Sequence, residues 1–93
     1  MVRVYHNRRF LEDPHAPFVP LNFIHVADVD IPEEDYGDAF RLTNHIDEDW
    51  WNNKEVSPQD RDPKYRSTSV GDVVELESGK KFRCLPIGWS EIL

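Results

Sequence analysis

The run Gly71-Asp72-Val73-Val74-Glu75-Leu76, followed by Ser78-Gly79 and then Lys81-Phe82-Arg83-Cys84, constrains this chain more than any other stretch. A strand rich in β-branched residues enters a glycine turn, and a strand carrying an aromatic leaves it, which is the pattern of an antiparallel hairpin. Val70, Val74 and Leu76 are expected on one face. Phe82 and Cys84 return on the inward side, and Pro86 and Gly88 turn the chain toward Trp89 and Ile92. Val70, Val74, Leu76, Phe82 and Trp89 form the expected packed set.

Upstream, Val2 and Val4 alternate with Arg3 and Tyr5, a short strand that reads as an exposed edge able to pair across a dimer. Pro14, Pro17 and Pro20 then impose a loop. Residues 21–30 form a second strand, with Phe23, His25, Ala27 and Val29 on one face and Ile24, Val26 and Asp28 on the other. Asp30-Ile31-Pro32-Glu33 has capping-box spacing, and Tyr36, Ala39, Phe40 and Thr43 follow at helical intervals. This predicts one acidic helix ending at Asn44 and His45, weakened by Gly37. The fold class is therefore α+β: a small antiparallel sheet with a C-terminal β-hairpin packed on one short acidic helix. Four stretches make the single domain 1–93. They are strand and loop (1–20), strand, helix and Trp-Trp segment (21–53), loop (54–68) and hairpin (69–93).

Ninety-three residues suffice for one core, and eleven aromatics supply its bulk. The single cysteine, Cys84, excludes an internal disulfide framework. With no long apolar stretch and no leader pattern, the expectation is a cytoplasmic protein without a membrane partner. The charge of −7 is concentrated: residues 28–62 hold twelve acids against three bases, while the segments on either side are each close to neutral. Direct nucleic-acid binding by such a surface is not expected, because phosphate contacts need clustered Lys and Arg.

Chemistry-bearing patterns are sparse. Arg66, Ser67 and Ser69 precede a strand, where hydroxyls close turns through local hydrogen bonds and Arg66 pairs with Asp72 or the acidic helix. Gly71-Asp72 makes the tight approach to that strand, with Asp72 accepting from backbone N–H groups. His6, His15, His25 and His45 show no ligand spacing, so neither a metal nor a cofactor is expected, and Cys84 reads as a buried inert thiol. No glycine-rich phosphate loop or nucleophile elbow is present, and the expectation is a protein that is not an enzyme. Trp50-Trp51 admits two readings. Both rings cap the core, or one anchors a loop while the other, among Asp47, Glu48 and Asp49, serves as an interface hot spot. Partner-binding candidates are Trp50, Trp51, Asp47, Glu48 and Asp49, with Glu34 and Asp38 of the helix.

Arg66, Ser67, Ser69, Val70, Gly71, Asp72, Val73 and Val74, then Gly79, Phe82, Gly88 and Trp89, form a pattern that resembles the YodL-like domains of bacteriophages, plasmids and other mobile elements. The resemblance covers roughly the last seventy residues and resides mainly in the last thirty. It implies a small α+β fold and a role in conflict with host defence, with no established catalytic residues. Residues 1–20 and the Trp pair fall outside it.

Three functions follow as expectations. The first is a non-catalytic interaction module acting on a host or phage protein, as monomer or homodimer. The second is an acidic DNA mimic that inhibits a basic nucleic-acid-binding protein, for which the acids must line one ridge. The third is a small nucleic-acid-binding barrel using Lys80, Lys81, Phe82 and Arg83.

Overall fold

The computed structural model describes residues 1–46 and 48–93. Six strands, β1 (Val2–Asn7), β2 (Phe23–Val29), β3 (Val56–Pro58), β4 (Val73–Leu76), β5 (Lys81–Cys84) and β6 (Trp89–Ile92), build one antiparallel sheet in the order β3-β2-β1-β4-β5-β6. The only α-helix among the described residues is α1, Asp38–Leu42. The protein is thus mostly β, with far less helix than the α+β expectation. The β4–β5 hairpin stands as predicted, and β6 extends it by a third strand.

Pairing of β1 with both β2 and β4 corrects its assignment as an exposed edge. Val2 and Val4 are fully buried, as a central strand requires, and this strand cannot join two copies. The edges are β3 and β6. β3 lies inside the stretch expected to be loop, and Val56 opposite Val29 gives its apolar anchor.

Alternation along β2 is broken by a bulge. Val4 pairs with Ala27 and Tyr5 with His25, so Val26 is an extra residue on its strand. That places Val26 in the core beside Ala27 and Val29, and sends His25 and Phe23 to the other face. The predicted sharing of one face by residues 23, 25, 27 and 29 fails at this point.

The two faces are covered differently. On one, Val2, Val4, Val26, Val29, Val74 and Leu76 pack against Ala39, Leu42 and Trp50 from the connection between β2 and β3. On the other, the proline-rich residues 8–22 bring Phe18 against Tyr5 and Phe23, at ring separations of 5.0 and 4.9 Å. Ala16 is completely buried there.

The predicted acidic helix is broken in two. Glu33–Asp35 forms a 3-10 turn, Gly37 occupies the N-cap of α1, and neither start carries a side-chain cap. The capping box fails because Asp30 continues out of β2, its N–H donating to Glu55 O at 2.8 Å. Pro32 takes the N-cap position instead. Of the predicted stripe, Ala39 and Thr43 are buried, Tyr36 and Phe40 are half-buried, and Leu42 supplies the missing core contact. Val70 is also corrected. It is exposed in the turn before β4, which starts only at Val73. No helix among the described residues is long and apolar enough to cross a membrane.

Two glycines separate turn geometry from packing. Gly71 and Gly79 have φ of +95° and +93°, but a Cβ on Gly71 would lie 2.9 Å from Pro14 O, whereas one on Gly79 would meet nothing. Gly79→Ala is expected to cost about 1 kcal/mol from backbone strain alone. Gly71→Ala is expected to cost at least about 1 kcal/mol more, from the clash with the N-terminal loop. Urea denaturation of the two variants checks the order.

Candidate functional site

The residues that precede β4 assemble around Asp72, whose side chain is fully buried. Arg66 grips it with two guanidinium nitrogens, at 2.6 and 2.8 Å. The backbone N–H groups of Asn7 and Ser69 each donate to it at 2.7 Å. Four donors fill the lone-pair sites of a carboxylate. The same guanidinium donates to Asn7 O at 3.1 Å and to Ser67 O at 2.9 Å, and its Cζ lies 3.8 Å from the Phe10 ring centroid. The sequence offered Asp72 and the acidic helix as partners for Arg66, and the structure selects Asp72, with the expected backbone donors. The meeting of this motif with the end of β1 is new.

His6 approaches the same carboxylate but does not use it. Its Nε2 lies 3.9 Å from Asp72 and 2.9 Å from Thr68 Oγ1. Thr68 Oγ1 is 2.7 Å from Thr43 Oγ1, which in turn is 2.6 Å from Ala39 O. A carbonyl only accepts, so Thr43 donates to Ala39, Thr68 donates to Thr43, and His6 must donate from Nε2. The chain of hydrogens therefore fixes the tautomer. It also separates this cluster from a hydrolytic triad, in which acid and nucleophile contact opposite ring nitrogens. Here both lie at Nε2, and every hydroxyl proton is already committed. Burial, opposed by Asp72 and assisted by Arg66, lowers the His6 pKa to about 4.

Of the two serines, only Ser69 closes a local turn as expected, while Ser67 makes a long-range contact instead. Ser67 Oγ accepts from the His45 N–H at 2.8 Å, and Ser69 Oγ donates to Ser67 O at 3.3 Å. Gly79 and Gly88 turn the hairpins, both at positive φ. Burial pushes the Cys84 thiol up to about 11, which keeps it protonated and unreactive. Among the described residues no group of His, Cys, Asp or Glu is arranged to hold a metal.

The predicted partner-binding residues do not form one patch. Trp50 is 1% exposed, donates Nε1–H to Arg66 O at 2.9 Å and stacks on Tyr65. It is therefore a core residue, not a hot spot. Trp51 is half-buried, edge-on to Trp50 and His45. Glu48 and Asp49 are exposed nearby, with Asp49 3.7 Å from His45 Nδ1, and Asp47 lies outside the described residues. Glu48 lines a concavity with Arg41, Asn44, Ile46 and Asn53. Glu34 lines a different one with Glu33, Tyr36, Leu76, Ser78, Lys80 and Phe82. Asp38 is exposed at the start of α1.

A cluster that sequence reasoning left in the core or on the helix stripe emerges at that second place. Tyr36 stacks on Phe82 at 4.3 Å, and Trp89 stands edge-on to both Tyr36 (5.7 Å) and Phe40 (6.5 Å). All four rings remain partly exposed. The i, i+4 spacing of Tyr36 and Phe40 was the available signal, but nothing in it told a buried stripe from a half-open one.

Arg83 does not belong to a nucleic-acid edge. It is buried, and its guanidinium donates to Pro14 O at 3.0 Å and Ala16 O at 2.7 Å, holding the N-terminal loop. Lys81 pairs with Glu75 at 3.5 Å. The acids of residues 28–62 are also not confined to one side. Asp28 lies opposite Arg3 on the His25 face and accepts from His25 at 2.8 Å, away from the helical layer. Comparison with known protein families, with curated proteins and with solved structures finds no match to this chain.

Asp72→Ala is expected to destabilise by about 3–5 kcal/mol, because the Asn7 and Ser69 N–H groups lose their acceptor and the half-buried Arg66 loses its counter-charge. The double variant Asp72→Leu/Arg66→Met is expected to lose less, which chemical denaturation checks. A second prediction concerns acid. Since the native His6 pKa lies below the unfolded value of 6.5, the unfolded chain binds the extra proton first. The His6 contribution is complete above about pH 6.5 and is lost as pH falls toward 4, amounting to about 3 kcal/mol at most. His6→Gln keeps a donor to Thr68 without a titrating ring. Its stability should fall less steeply than wild type across that window, measured by denaturation at stepped pH.

Proposed function

We propose that this chain is a non-catalytic protein-interaction module that presents an acid-bordered aromatic surface to a basic region of a host or phage protein. The observation that carries the reading is the placement of Tyr36, Phe40, Phe82 and Trp89. Four partly exposed rings meet at one end of the sheet, and exposed Glu34, Asp35 and Asp38 border them. Interfaces draw on aromatic anchors of this kind, and the surrounding carboxylates select partners by charge.

The polar residues with chemical potential are meanwhile committed to structure. Asp72 is saturated, His6 is held as a neutral donor, and the Cys84 thiol is protonated. The resemblance to YodL-like domains supports an origin in a phage or mobile element and a role in counter-defence. DNA mimicry has less support, since Asp28 lies on the face away from the helical layer and Asp38 and Asp62 lie beside Arg41 and Lys64.

The double variant Glu34→Lys/Asp38→Lys leaves the core untouched and reverses the border. Affinity capture followed by mass spectrometry should recover a basic partner with wild type, and at least about tenfold less of it with the variant. Equal recovery by both, with unchanged circular dichroism, would overturn the proposed surface.

A further inference from the structure

The aromatic surface ends at β6, an edge strand paired only with β5. Leu85 N donates to Gly88 O across the turn at 3.0 Å, so this is a hydrogen-bonded pair. In an antiparallel ladder such pairs recur at every second position. Arg83–Ser90 and Lys81–Ile92 therefore bond inward, while the N–H and C=O groups of Trp89 and Glu91 point away from the sheet. They offer two positions where another strand could dock.

The register also states which side chains such a strand would meet. Val4, Val74, Phe82 and Glu91 lie in one row across the sheet, on the face covered by α1. Trp89, opposite Cys84, shares that face. On this side an added residue meets a carboxylate directly across the strands and an indole diagonally, with Glu34 and Asp38 beyond the rings. A Lys or Arg satisfies both neighbours, through an opposite-charge pair and a cation–π contact. On the reverse side, Ile92 and the exposed Leu93 border a concavity with Pro17, Phe18, Val19, Lys81 and Arg83, the two cations being taken up by Glu75 and by loop carbonyls. An apolar residue fits there.

We infer that β6 accepts an extended basic segment of a partner protein as a seventh strand, whose side chains alternate basic toward α1 and apolar toward the N-terminal loop. The inference rests on the proposed interaction surface and specifies its mode of binding. Main-chain hydrogen bonds to Trp89 and Glu91 supply the pairing, and the alternation supplies specificity. A second copy of this chain is the poorer occupant. Both copies carry the same net charge of −7, and pairing about Glu91 would set two carboxylates face to face.

The test is a titration of isotope-labelled protein with a short synthetic peptide of alternating Lys and Val, followed by amide chemical shifts. The expected result is shifts concentrated at Trp89–Leu93 and at Phe18 and Val19. Binding should be lost when the peptide backbone is N-methylated on its pairing edge. It should weaken about tenfold with Glu91→Lys, the size of one cross-strand attraction turned into repulsion. A peptide of the same composition with its Lys and Val in separate blocks should bind less well. Equal binding by the N-methylated or the block peptide overturns strand addition while leaving the charge-bordered surface intact. No shifts at the highest soluble peptide concentration also overturn it. Shifts at β6 that grow with protein concentration alone would identify a second copy as the occupant and overturn the proposed partner. The Glu34→Lys/Asp38→Lys capture measurement reads the wider interaction proposal separately.

Discussion

The ion pair between Arg66 and the buried Asp72 is the contact on which the rest of the structure depends. It joins the end of β1 through Asn7, the turn at Ser67–Ser69 and the start of β4, and Phe10 covers the guanidinium. A carboxylate removed from water needs every oxygen lone pair satisfied, and here two charged and two backbone donors do so. Because the donors come from segments some sixty residues apart, the pair sets where the last third of the chain meets the first strand.

Arg83 performs the corresponding task on the opposite face. A proline-rich stretch cannot supply regular backbone pairing of its own, and the carbonyls of Pro14 and Ala16 are instead claimed by one guanidinium. Gly71 makes room for the same loop, since a side chain there would strike Pro14. Two arginines thus hold irregular chain against a sheet that has little helix to cover it. Together they leave the far end, at β5 and β6, as the part with aromatic rings still open to solvent.

Local signals in the sequence were reliable where turn chemistry and alternation act over a few residues. The β4–β5 hairpin, the positive-φ glycines and the Asp72 acceptor role were all legible in this way. Signals failed where distant contacts decide. The capping box at Asp30 was overruled by a backbone bond to Glu55, and the helix was divided at Gly37. One bulge residue, Val26, reversed the face of everything before it on β2. Arg83 looked like surface charge because no sequence pattern reveals that a loop seventy residues upstream will offer it carbonyls. At the candidate site, Glu34 and Asp38 were readable as exposed acids. That Trp50 is the fully buried ring of the pair and Trp51 the half-buried one was not readable, because the burial of Trp50 comes from Tyr65 and the Arg66 carbonyl.

The strand order has a consequence for how the molecule is made. β1 is flanked by β2 and β4, so its second partner is synthesised some seventy residues after it. During translation the growing chain can complete only the β3-β2-β1 half, with one side of β1 waiting. Closure then requires a long-range search, the step that slows folding in sheets built from non-local pairs. Arg66 emerges just ahead of Asp72 and β4. The polar clasp is therefore positioned to form as that search ends, locking the late strand against the first.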